Sequence, residues 1–304
     1  MPPEAILFPG FSDLFLRRLS LLRFRPRPGI PGKGAGEHLV RKGGASVEFS
    51  DFRTYTYGDD FRLVDWNSYA RLDRLFVKVF RDEEGFVLHL LLDRSRSMDW
   101  GQPNKLLFAR RLAAALGYVA LSAYNWVTVQ TLPDELTTRG SASFFAEHRG
   151  RQMIPELFRF LRDLPSGGAC ELGAVLAEYA RKHRQPGLLV ILSDALSPRG
   201  IEGGINHLLA LGHQLVFLHL LAPEEIAPTR AGEFELVDNE WGDKLEVSLD
   251  RFSLRTFAIF FERWRRNLQD YCQSRGVLYF LLPTSLSIEE AVLHRLLQRG
   301  LLQA

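Results

Sequence analysis

Two short stretches of the chain are apolar at nearly every position: Phe86–Leu92 and Leu188–Leu192. Runs of that length without polar alternation read as strands buried on both faces. Trp126–Leu132, Gln214–Leu220 and Val277–Leu282 have strand character too, and Ser143–Ala146 reads as a short strand. Between them the apolar spacing switches to the helical period. Residues 105–124, entered at Pro103-Asn104, are apolar nearly all round and predict a helix buried against the sheet. Residues 151–163 align Ile154, Leu157, Phe158 and Leu161, and residues 171–183 align Leu172, Val175, Leu176 and Tyr179. Residues 201–211 predict a further helix. Strands alternating with helices predict an α/β fold, a doubly wound and mostly parallel sheet covered on both sides.

The flanks break this rhythm. Residues 11–24 predict an amphipathic helix capped at Ser12 or Asp13, with Phe15, Leu16, Leu19 and Leu22 on one face. Residues 25–32, rich in Pro and Gly, read as a linker. Residues 46–50, 53–57 and 75–80 read as strands of a small accessory β module. The predicted boundary falls between residues 1–84 and 85–304. A β-hairpin from 233–237 and 244–248 is expected as an insertion at about residues 229–250. Residues 251–274 predict a long helix, its stripe of Phe257, Phe260, Phe261, Trp264, Leu268 and Tyr271 read as core, and residues 287–299 a closing one.

Composition narrows the function little. The 304 residues carry a formal net charge of +2, which gives no reason to expect a nucleic-acid partner. No run approaches the roughly 20 apolar residues of a membrane span. Two cysteines indicate no disulfide framework. Residues 1–10 lack the basic start and apolar core of a signal peptide, so a cytoplasmic location is expected.

The candidate chemistry lies where the two apolar runs end. The first closes in Asp93-Arg94-Ser95-Arg96-Ser97, the second in Ser193-Asp194. Neighbouring strands would bring both carboxylates to one edge, beside two hydroxyls. That all-oxygen donor set suits Mg²⁺ or Mn²⁺. The bland reading is a loop capped by Asp93, with Ser95 and Ser97 bonding backbone groups. His89 and His219 sit inside apolar strands and read as core. Cys170 as a nucleophile would need a base, for which His183 and His207 are nominal candidates.

Asp93-x-Ser95-x-Ser97 with Asp194 resembles the metal-ion-dependent adhesion site of von Willebrand factor A-like domains. The resemblance implies a six-stranded sheet and a Thr ligand on an intervening loop. In Gly167-Gly168-Ala169-Cys170-Glu171-Leu172 the Thr position holds Cys170, a softer and poorer ligand for Mg²⁺. Tyr57-Gly58-Asp59-Asp60-x-Arg62-x-Val64-Asp65-Trp66-x-x-Tyr69-Ala70-Arg71 resembles the signature of a prokaryotic family, domain of unknown function 58. That family carries such an A-like domain and is commonly encoded beside MoxR-type AAA+ ATPases. The resemblance covers the chain from about Glu37 onward. It implies an adaptor with a chaperone-like or complex-maturation role beside that ATPase and no known reaction; the constellation, with no catalytic base near it, adds the expectation of a non-enzymatic binding module whose partner is the ATPase or its client. Arg94 and Arg96, and the Asp59, Asp60 and Arg62 cluster, are candidate partner contacts; a structural ion-pair network is the plainer account of that cluster. Two alternatives remain. One is a metal-dependent hydrolase or phosphotransferase centred on Asp93, although aspartyl-phosphate enzymes have a second Asp where Ser95 stands. The other is a scaffold whose metal site has decayed.

Overall fold

Strand β1 (Val87–Asp93) is buried at every position and forms the middle of the fold. A computed structural model of the chain describes residues 8–27, 48–56, 64–72, 74–81, 85–133, 144–197, 199–227, 232–237 and 244–304. The other strands of the main sheet are β2 (Trp126–Leu132), β3 (Phe144–Arg149), β4 (Leu188–Ser193), β5 (Gln214–Leu221) and β6 (Leu278–Pro283). Their order across the sheet is β6-β5-β4-β1-β2-β3. Five strands run parallel and β3 alone is antiparallel to its neighbour. The expected α/β, mostly parallel six-stranded sheet is therefore present.

Side-chain alternation explains why both faces are covered. Leu88, Leu90 and Leu92 of β1 enter one apolar cluster, whereas Leu91 enters the other. On the first face lie α1 (Asp13–Leu21), α2 (Lys105–Ser122) and α3 (Ile154–Arg162); on the second lie α4 (Leu172–Lys182) and α5 (Glu202–Ala210). Helix α2 buries fourteen of its eighteen residues, as its all-round apolar character requires.

The predicted segment of residues 1–84 needs correction at its start, not at its end, which falls at residue 85. Ser12 caps α1, its side chain accepting from the Phe15 amide at 3.1 Å. Phe8, Phe11, Phe15 and Leu19 of this segment join the large core cluster. Arg23–Phe24 then pairs antiparallel with Leu302–Gln303. The main unit thus comprises residues 1–30 and 86–304, and residues 31–85 form a second unit. The reason is burial: an apolar face of this size stays out of water only against a larger core.

In the second unit Glu48–Thr54 pairs antiparallel with Phe76–Arg81. Strands expected at 46–50 and 53–57 are one strand, with a register shift between Phe49 and Asp51 absorbing the irregular pattern. Trp66–Leu72 is helical, and Ser68 Oγ donates to Asp65 Oδ2 at 2.6 Å. Asp59, Asp60 and Arg62 lie outside the described residues.

Gly232–Val237 and Lys244–Leu249 form the expected hairpin, followed by α6 (Arg251–Ser274). The aromatic stripe of α6 is core only in its second half. Leu268 is buried, but Phe257 and Phe260 are 43% and 61% exposed. Helical spacing places residues on one face; it does not say how far the covering sheet extends. Phe260→Ser is accordingly expected to change stability by no more than about 0.5 kcal/mol in urea unfolding.

Candidate functional site at the carboxyl edge of the sheet

Strands β1 and β4 are hydrogen-bonded neighbours, with Leu92 opposite Leu192. Asp93 ends the first strand and Asp194 follows the second, so both carboxylates reach the carboxyl edge, where open α/β sheets place ligands. They are only 3% and 1% exposed. Groups so buried must be hydrogen-bonded. Asp93 Oδ1 accepts from the Ser95 amide at 2.9 Å, and Oδ2 from Ser193 Oγ at 2.6 Å. Asp194 Oδ1 accepts from the Leu196 amide at 3.1 Å. The turn between them puts Ala195 at φ +57°, a region costly for a residue with a Cβ. The Ala195 amide donates to Ser193 Oγ at 3.0 Å, which holds it there.

The second oxygen of Asp194 accepts from Lys105 Nζ at 2.7 Å. Lys105 is the first residue of α2, after the Asn104 cap, and its side chain is fully buried. Its ammonium also donates to Glu225 Oε1, and Glu225 Oε2 accepts from the Ala222 amide at 2.8 Å. Three groups from the ends of β4 and β5 and the start of α2 thus form one buried ionic cluster. Gly101 lets the loops meet, since a Cβ there would lie 2.4 Å from Ala222 Cβ and its φ is +91°.

Burial, with the Asp194 charge second, raises Asp93 to about 7, against the hydrogen bonds from Ser193 and Ser95. Burial opposes the charge on Lys105, but Asp194 and Glu225 outweigh it and hold the ammonium above its ordinary range. Burial raises Glu225, with Lys105 pulling the other way. His219 Nε2 faces the Asp194 carbonyl at 2.9 Å and Nδ1 the Tyr279 hydroxyl at 2.6 Å. Burial lowers His219 to about 4, so the neutral ring is the stable form near neutrality.

Ser95 is buried, and its Oγ lies 3.0 Å from Ser97 Oγ. Arg94 does not carry charge to an open surface: it is 2% exposed, and its Nη2 donates to the Pro133 carbonyl at 3.2 Å. The reason is the loop crossing it. The Gly167 amide donates to the Arg94 carbonyl at 2.5 Å, and a Cβ on Gly167 would lie 2.8 Å from Arg94 Nη1. Arg96 is exposed, its amide donating to the Gly168 carbonyl at 3.3 Å. Cys170 is 4% exposed within the apolar cluster of Leu132, Leu172 and Ala195. His183 stacks on Tyr179, and His207 Nδ1 bonds the Gly203 carbonyl.

Cis ligands of an octahedral Mg²⁺ lie about 3 Å apart. The Ser95–Ser97 spacing of 3.0 Å suits such an edge. The carboxylate set does not fit a resident ion, because Asp194 is already committed to Lys105 and Cys170 packs among apolar side chains. Among the described residues, no group of three or more His, Cys, Asp or Glu side chains is placed to hold a metal ion. Lys105 and Glu225 were not singled out from the sequence. The available signal is a lysine at the first position of a largely apolar helix, where the helix dipole disfavours positive charge.

Residues 51–266 match the family described as "Protein of unknown function DUF58". An uncharacterized protein of Mycobacterium bovis and one of Mycobacterium tuberculosis H37Rv are each 26% identical over 237 residues, covering 76% of this chain and 73% of theirs. Among solved structures, the conserved hypothetical protein BatB of Bacteroides thetaiotaomicron is similar at 16% identity and TM-score 0.40, over 68% of this chain and 95% of that one. An aerotolerance-related membrane protein of Bacteroides fragilis is similar at 16% identity and TM-score 0.42, over 71% and 98%. No helix among the described residues is long and apolar enough to cross a membrane.

Proposed function

The chain belongs to the DUF58 family, and from that premise we propose that it is a non-enzymatic, von Willebrand factor A-like protein-binding module. It engages its partner at the carboxyl edge of the sheet, and that partner is a MoxR-type AAA+ ATPase or its client. The observation carrying this reading is the make-up of the edge. Trp100 and Leu196, on the loops that leave β1 and β4, are 42% and 43% exposed beside a floor of buried, hydrogen-bonded acids. Exposed apolar side chains around a rigid polar centre suit recognition. Near Asp93 both ring nitrogens of His219 are engaged, Cys170 is packed away, and the Ser193 hydroxyl bonded to Asp93 is fully buried, out of reach of a substrate.

The test is capture of a purified MoxR-type ATPase by the full chain, in Mg²⁺ and in chelator. Asp93→Ala and Trp100→Ala are each expected to weaken capture about tenfold or more. Unchanged capture by both variants in both conditions overturns the reading. Capture that needs Mg²⁺ would point instead to Asp93, Ser95 and Ser97 sharing a Mg²⁺ or Mn²⁺ whose shell an acidic group of the partner completes.

A further inference from the structure

Lys105 stands in an unusual position for a cation. Its side chain is fully buried, at a helix N-terminus whose dipole repels positive charge. Burial of an ammonium is tolerated only with charge compensation. Here two carboxylates from two other segments supply it: Asp194, following β4, and Glu225, in the turn Pro223–Ile226 after β5. Asp194 is the residue that the adhesion-site resemblance assigns to the metal, and its Oδ2 is hydrogen-bonded to Lys105 instead. A divalent ion beside this ammonium would meet like charge at close range in a poorly solvated site.

We infer that Lys105 is the resident cation of this edge: its ammonium holds Asp194 and Glu225 where a divalent ion would otherwise be needed, so the edge is complete without metal. The corollary, which rests on the proposed role of the edge in partner binding, is that capture is independent of divalent ions.

The inference is tested with Mn²⁺ alone, by calorimetry and thermal shift on the full chain. Wild type and Lys105→Arg are expected to give no saturable binding. Lys105→Ala and the longer, polar Lys105→Gln unmask Asp194 and Glu225, and are expected to bind Mn²⁺ at least tenfold more tightly than wild type. Adding Asp194→Asn is expected to abolish that gain. Saturable Mn²⁺ binding by wild type that is lost in Asp194→Asn overturns the assignment, and this holds even if the lysine variants fail to fold. Folded lysine variants with no gain overturn it as well. The corollary has its own readout, since wild-type capture in chelator should match that in Mg²⁺. If Asp93→Ala and Trp100→Ala both leave capture unchanged, the edge is not the binding face, while the Mn²⁺ titrations still decide the role of Lys105.

Discussion

Lys105→Met is expected to lower the free energy of unfolding by about 3–5 kcal/mol, because it leaves a buried carboxylate pair without its cation. Asp194 is 1% exposed and Glu225 14%, so water cannot replace the lost ammonium fully. Urea unfolding at pH 7 measures the loss. A cycle with Asp194→Asn separates the ionic contribution from packing: the double variant should be more stable than the sum of the two single losses predicts, since each single change strands the other's charge. A loss under about 1 kcal/mol for Lys105→Met would mean that the cluster is solvated in solution. The exposed Lys182–Glu178 pair gives the contrast, at 3.0 Å with both side chains about half exposed. Breaking it is expected to cost no more than about 0.5 kcal/mol.

The second large effect is in the pH dependence of stability, where Asp93 and His219 oppose each other. Asp93 rises from 3.8 to about 7 on folding, chiefly by burial. Its contribution is therefore fully present below pH 3.8 and is lost as pH rises through 7. His219 falls from 6.5 to about 4, again chiefly by burial. Its contribution is present above pH 6.5 and is lost as pH falls through 4. Across pH 4–6.5 the two slopes have opposite sign, each up to about 1.4 kcal/mol per pH unit. In wild type they largely cancel. Asp93→Asn should leave His219 unopposed, so that the variant loses about 3 kcal/mol relative to wild type between pH 6.5 and 4. His219→Gln should show the reverse, gaining a similar amount relative to wild type over the same fall. Parallel profiles for all three proteins would show that neither group is desolvated as described.

What the sequence reveals follows from what local pattern encodes. Uninterrupted apolar runs marked β1 and β4, because a strand covered on both faces has no position for a solvated side chain. The ends of those runs marked Asp93 and Asp194. The rest of the site depends on sheet order. Lys105, Asp194 and Glu225 are far apart in the chain and meet only because β1, β4 and β5 are adjacent. Arg94 read as a surface charge because the loop that covers it lies some seventy residues away. Cys170 illustrates a different limit. Its alignment with a Thr position was visible, but its place among Leu132, Leu172 and Ala195 is a matter of packing. Phe260 on α6 is the converse case, where helical period suggested a cover that the sheet does not supply.

The pairing of Phe24 with Leu302 sets an order of events during synthesis. The early aromatic segment around Phe11 and Phe15 belongs to a core whose α2 and β1 follow only after the whole of unit 31–85 has been made. Its last partners emerge later still, since β6 and Leu302–Gln303 lie at the far end of the chain. At ~5–20 residues per second, roughly 10–40 s separate completion of β1 from completion of the sheet. During that interval β4 and β5 are exposed in turn, and their largely apolar strands lack a finished edge. All residues of the small unit, by contrast, have been made before β1 is complete, whereas the main unit waits for the last of its strands.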